Sequence, residues 1–280
     1  MRYHVSSDLP QPKFSEEDSK IIYDLSKLPK TVQQEILESP KYRKWFSEFP
    51  KKLFNVDNPK TVKGQKLGIR TLVQYLTPSK LSGVNLCAMS SVAKCDVPCL
   101  NTAGRGKMGY VQMARLRKTL FMLQYWEQYR ALFMKEVILH GKYCWKHNLE
   151  CAVRPNGTTD IRWELTIWEF MVFMYNNYDV QWYDYTKIPN RLIPNREIYD
   201  LTFSYSGVKR FLPYVEKAKK MGMRIAVVWR YKYQIPKTFM GMKVISGDEH
   251  DARYTEPHGV VSALYAKGDA IHDKSGFVVG

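Results

Sequence analysis

Three of the chain's five cysteines, Cys87, Cys95 and Cys99, fall within 13 residues with spacing C-x7-C-x3-C. Thiolates this close on one loop suit a structural zinc or an iron–sulfur cluster, and the unlinked reading is three ordinary thiols. Zinc would need a fourth ligand, for which His140, Cys144 and Cys151 are candidates, His140 being the best placed. A second cluster, Asp248, His250, Asp251 and Arg253 beside Gly247, falls within six residues. Such a set can supply a general acid and base, a nucleophilic carboxylate or a second metal site; a solvated, salt-bridged loop is the alternative.

Smaller polar knots recur. Asn156, Thr159, Asp160 and Glu164 form one, with Asp160 suited to a ribose or base edge, or to capping a helix. Asp184, Tyr185 and Lys187 bring a carboxylate, a phenol and an ammonium together for acid–base work, although strand alternation sends Asp184 to the face opposite Tyr183 and Tyr185. Ser204 and Ser206 are small hydroxyls of the kind that meet phosphate or ribose, or that cap turns. Arg105, Lys107, Arg115, Arg117 and Lys118 surround the start of a long helical run. They read as a basic entry for a phosphate backbone, or as a solvated face.

The elements that must hold these groups alternate. Apolar runs at 67–76, 151–154, 180–185, 199–204, 224–229 and 243–245 read as six strands, with 259–266 as a further one. Helical patterns occupy 108–140, with a break expected near 128–130, then 163–176 and 208–221. Strands alternating with helices predict an α/β fold with a mainly parallel sheet, curled into a full or partial (β/α) barrel. Each polar knot directly follows an apolar run, and folds of this class place their chemistry at the carboxyl ends of the strands. Residues 1–60 read as an N-terminal helical cap, including a helix over 15–28, and 61–280 as the barrel-like domain carrying the cysteine loop.

Composition narrows the class. The 280 residues are 45% hydrophobic and 25% charged, ordinary for a globular protein. No apolar run reaches the roughly 18 residues of a membrane span, so no membrane partner is expected. The first residues lack the apolar core of a secretory signal, which predicts a reducing compartment, where clustered cysteines serve metal or redox chemistry. The formal net charge of +16 points to an anionic partner, with nucleic acid or a nucleotide first. The sequence leaves the oligomeric state open.

With these residues in view, a resemblance appears. A three-cysteine loop after the first strand, followed by about five β/α units over residues 67–266, resembles the radical S-adenosylmethionine enzymes. That resemblance implies a 4Fe-4S cluster on Cys87, Cys95 and Cys99, with S-adenosylmethionine as cofactor. The spacing differs from the superfamily's C-x3-C-x2-C, and NGTTD stands where a Gly-Gly-Glu motif is usual. The chain also resembles a phage-encoded family of unassigned role labelled gene product 88, through KCDVPCLNTAGRG, VRPNGTTDIRWE, WYDYTK, LTFSYSG, VISGDEHDAR and GVVSALYAKG. That likeness implies a phage protein working in the cytoplasm of an infected host cell.

Three functional expectations follow. The first is a metal-cluster enzyme acting on nucleic acid or a nucleotide, with Asp160, Asp184, Asp248, His250 and Asp251 as catalytic candidates and Asn156, Ser204 and Ser206 touching the cofactor. The second is a zinc-containing base-exchange enzyme resembling tRNA-guanine transglycosylases. The third is a phage DNA-binding or host-interaction protein without catalysis.

Overall fold

The computed structural model describes residues 20–280. Residues 15–19 of the helix expected over 15–28 lie outside them. Residues 20–29 form turns and bends, not a helix. Their backbone groups have distant partners: Ile22 N–H donates to Phe46 O at 3.0 Å and Asp24 N–H to the Gln124 side chain at 2.8 Å. A strap whose donors are claimed by other elements has none left for helical bonds.

In chain order the elements are α1 (Lys30–Glu38), α2 (Pro40–Phe46), β1 (Phe54–Asn55), α3 (Pro59–Gln65), β2 (Ile69–Gln74), α4 (Ser90–Ala93), α5 (Gly109–Gln124), α6 (Trp126–Lys146), β3 (Glu150–Arg154), α7 (Trp168–Tyr178), β4 (Val180–Thr186), β5 (Tyr199–Ser204), α8 (Leu212–Lys220), β6 (Ile225–Trp229), β7 (Thr238–Phe239), β8 (Met242–Ser246) and β9 (Val261–Tyr265). The long helical run breaks at Tyr125, a few residues before the expected place. There the backbone leaves the helical region (φ −133°, ψ 57°) and the ring packs against Tyr23, Phe49 and Phe121.

The nine strands form one sheet in the order β1-β2-β3-β4-β5-β6-β9-β8-β7. From β2 to β8 every pairing is parallel, and only the two short edge strands, β1 and β7, pair antiparallel. β1 and β7 are not paired to each other, so the sheet is open and a closed barrel does not form. The strand order departs from chain order at one place. The partner of β6 is β9, and β8 lies outside it, because the chain first makes the β7–β8 hairpin and then returns to fill the central position.

The two faces of the sheet are chemically different. One carries Leu72, Val153, Trp182, Phe203, Val227 and Val261 against Phe121, Phe133, Met171 and Val215 of the helices, in one continuous hydrophobic core. Residues of the N-terminal segment, including Ile36, Phe46 and Phe54, belong to that same core. The other face carries Arg154, Tyr183, Asp200 and Ser262, and the segment between β8 and β9 lies across it. Buried ion pairs join them: Arg154 with Asp251 at 2.7 Å, Arg224 with Asp200 at 2.8 Å, and Arg253 with Glu256. Charges this deep persist because each is paired; removing one partner would strand the other in a low dielectric.

Candidate functional site: a thiol-lined cavity at the carboxyl ends of the strands

The loop between β2 and α5 crosses the carboxyl ends of the strands and is tied down there. Ser206 Oγ–H, after β5, donates to Ala93 O at 2.7 Å; Arg210 donates to the carbonyls of Ser91 and Val92; Ser275 Oγ–H donates to Lys94 O at 3.2 Å. Beside it the turn after β3 closes on β2. Gly157 N–H donates to Gln74 O at 2.8 Å, and a Cβ at Gly157 would collide with that carbonyl and with the Tyr75 ring. A side chain is impossible at this position without moving one strand end.

Between these segments lies a cavity of about 270 Å³. Cys87, Cys95 and Cys99 line it, together with Arg154, Asn156 and Asp160 after β3, Tyr185 and Lys187 after β4, Ser204 after β5, Asp248 and Asp251 after β8, and Lys267 and Phe277 of the C-terminal segment. The rule that polar knots collect at strand ends therefore holds.

The thiols are partly buried, and Cys87 feels the charge of both others. Burial pushes Cys87 up to about 12, and burial also raises Cys95 and Cys99; neighbouring thiols add to the rise at Cys87 and Cys95. Lys187 opposes this at Cys95 and Cys99; its ammonium is buried, donates to Ser204 O at 3.0 Å and Tyr205 O at 3.2 Å, and lies over the Phe277 ring at 4.7 Å. Two backbone N–H groups point at sulfur, Ser79 to Cys87 at 3.3 Å and Asn101 to Cys99 at 3.5 Å. Such donors and a nearby cation are what protein thiolates bound to metal commonly have around them.

The expected residues divide into those the cavity gathers and those it does not. Asp248 and Asp251 line it. Asp248 lies 3.9 Å from Lys267, and Asp251 is held by Arg154 and accepts from Tyr183 Oη–H at 3.3 Å. Asp160 lines it too, but its carboxylate accepts from Lys187 N–H at 2.9 Å and faces Arg191 at 3.3 Å, so it braces the loop after β4 instead of capping a helix. Asn156 organises its own turn, accepting from Thr159, Ile161 and the Trp163 indole while donating to Ile161 O and Asp184. Ser204 is in the wall; Ser206 is buried beneath the loop it anchors.

Asp184 and His250 stand outside the cavity wall. Asp184 is fully buried on the helix-packed face, accepting from Asn156 N–H at 3.0 Å and Tyr199 Oη–H at 2.7 Å. Burial raises its carboxyl to about 7 against the opposing pull of Arg154 and the Tyr199 hydroxyl. His250 is half-buried and gives its carbonyl to Arg253. His140, expected beside the cysteine loop, is instead at the other end of the sheet, where it groups with Cys144 and Cys151. Of the basic cluster, Arg115 donates to Asn101 and lies over the Tyr75 ring, Arg117 donates to Glu48 O at 2.8 Å, and Lys118 to Leu53 O at 2.7 Å. Those three hold backbone; Arg105 and Lys107 are exposed. Arg154, Lys267 and Phe277 are cavity residues that sequence patterning passes over. Arg154 carries a signal all the same, a lone charge at the end of an apolar strand.

The arrangement defines an open, mostly parallel α/β protein in which three thiols and buried carboxylate and guanidinium groups meet in one cavity at the strand ends. The chain matches the family described as Gene product 88 over residues 50–280 and belongs to that family, a phage-type family of unassigned role. No curated protein and no solved structure matches it. Among the described residues no helix is long and apolar enough to cross a membrane.

Proposed function

We propose that the chain is a metal-cluster enzyme, with Cys87, Cys95 and Cys99 holding a 4Fe-4S cluster and the cavity beside them receiving S-adenosylmethionine and part of a nucleic acid or nucleotide. One observation carries the reading: three thiols from the loop after the first parallel strand share a cavity at the carboxyl ends of parallel strands laid in nearly sequential order. The parallel run β2-β3-β4-β5-β6-β9 in one open sheet supports the reading, since successive β/α units after a three-cysteine loop are what the resemblance to radical S-adenosylmethionine enzymes implies.

The residues fit such a cluster. A single tetrahedral zinc with bonds of about 2.3 Å would draw three sulfurs to about 3.8 Å from one another. Cys87, Cys95 and Cys99 do not form a set within 4.8 Å, unlike His140, Cys144 and Cys151. A polynuclear cluster, in which each thiolate binds a different iron, spreads its ligands wider. The same spread weighs against the zinc-containing, transglycosylase-like reading, as does the engagement of Asp251 with Arg154.

When bound, the cluster supplies one-electron chemistry to the cofactor. The chain's own residues do the remainder. Arg154, fixed by Asp251, offers a guanidinium to a carboxylate; Thr158, Thr159 and Ser204 offer hydroxyls to ribose; Lys187 offsets the charge of the thiolates. Phe277 and the C-terminal segment wall the cavity.

The test is iron and sulfide content with the absorption spectrum of anaerobically prepared protein. The expected result is about four irons per chain and a broad visible band; a colourless, iron-free chain that also fails to take up iron and sulfide on reconstitution ends the reading. The charge of +16 supports the nucleic-acid partner. Reversing the exposed Arg105 and Lys107 to Glu should weaken binding to nucleic acid and flatten the dependence of log K on log salt by roughly 2 if both neutralise phosphates. Unchanged affinity and slope would separate those two residues from the partner.

A further inference from the structure

His140 and Cys144 lie one turn apart on the inner face of α6, and Cys151 is the second residue of β3. All three are buried, and their ligand-type atoms lie within 4.8 Å of one another. Cys144 Sγ is 3.8 Å from His140 Nε2, and His140 Nε2 is 3.1 Å from Arg70 O, the carbonyl of the second residue of β2. We propose that His140, Cys144 and Cys151, with the Arg70 carbonyl as fourth ligand, form a mononuclear zinc-type site that clips α6 to the amino ends of β2 and β3.

The distances carry the proposal. A tetrahedral ion with bonds of about 2.3 Å to sulfur and about 2.0 Å to nitrogen or oxygen places neighbouring S and N ligands about 3.6 Å apart, and N and O ligands about 3.3 Å apart. The observed 3.8 Å and 3.1 Å need only small adjustments. Two soft thiols with one imidazole select zinc or a similar soft ion over magnesium or calcium. The balance is simple: a divalent ion binds two thiolates, two thiol protons leave to solvent, and the imidazole binds neutral through Nε2 with its proton on Nδ1. The site has no share in the cavity at the strand ends, so the role it suits is structural. It also stands whether or not the cysteine loop holds iron.

The experiment uses the full chain with Cys87, Cys95 and Cys99 replaced by Ser, reduced and stripped of metal, then titrated with zinc and with cobalt. The proposal expects one equivalent bound, a thiolate-to-cobalt charge-transfer band, a rise in the thermal midpoint, and a loss of affinity on Cys144→Ser beyond the roughly hundredfold of an outer-shell change. No uptake, or uptake indifferent to Cys144→Ser and Cys151→Ser, overturns it. So does a chain that, under the same reducing conditions, returns to a Cys144–Cys151 disulfide in place of binding the ion. Where the triple variant does not fold, the unmodified chain is compared with Cys151→Ser alone. The proposal then requires one fewer zinc per chain in the variant, and equal zinc content overturns it.

Discussion

The two groups of thiols sit at opposite ends of the same sheet and differ in every property that separates chemistry from scaffolding. Cys87, Cys95 and Cys99 hang from a loop, spread apart, in the wall of a cavity, among cations and hydroxyls that a bound molecule could reach. His140, Cys144 and Cys151 come from a helix and a strand, lie tightly together, and are buried in the hydrophobic core. A mutual hydrogen bond also splits the second pair: it pulls Cys144 down and pushes Cys151 up. A cysteine count treats the five residues alike. Accessibility, spread and the rigidity of the parent element do not.

The sharpest way to break this contrast is to swap the consequences. Cys95→Ser should abolish iron loading and any associated activity while changing stability by less than about 1 kcal/mol, because a half-buried loop thiol contributes little packing. Large unfolding with retained iron would invert the assignment. Next in size is the ion pair beneath the cavity. Arg154→Ala takes the guanidinium away from buried Asp251 and should cost about 3–5 kcal/mol in denaturant unfolding. A loss below about 1 kcal/mol would show that the polar face is hydrated, not sealed.

Ser206→Ala removes the bond to Ala93 that anchors the cysteine loop. It should cost about 1 kcal/mol and make reconstituted iron leave faster, with no change in zinc at the other end of the sheet. The smallest effect concerns pH. The folded carboxyl of Asp184 is raised to about 7, above its ordinary value near 3.8, so the folded chain binds the extra proton between those values. Its contribution to stability is present in full below about 4 and is lost as pH rises through 7. Asp184→Asn should flatten the stability–pH curve in that window, as thermal melts at several pH values would show; an unchanged slope would mean the carboxyl is ionised throughout.

The sequence was most informative where one local pattern settles the outcome. The run 225–229 is apolar at every position because it lies inside a sheet, the run 199–204 alternates Tyr199, Leu201 and Phe203 with polar residues, and both formed strands where expected. The three cysteines on one loop also came together in one cavity, since a short segment between a strand and a helix has few places to go. Asp184 was legible in part, because alternation alone turns it away from Tyr183 and Tyr185.

What the chain's order could not decide was anything set by long-range partners. That β9 and not β8 lies beside β6, that the sheet stays open, that Arg115, Arg117 and Lys118 are spent on backbone carbonyls, and that Phe277 completes the cavity wall all depend on residues tens to hundreds of positions apart. His140 shows the reason most plainly. Helical spacing places it one turn from Cys144, but only the packing of α6 on β3 brings Cys151 to the same point, and only the sheet's length keeps all three away from the loop. Residue types establish which bonds can form; the tertiary arrangement selects among them, because a buried donor or ligand pairs with what lies within about 3–4 Å and with nothing farther.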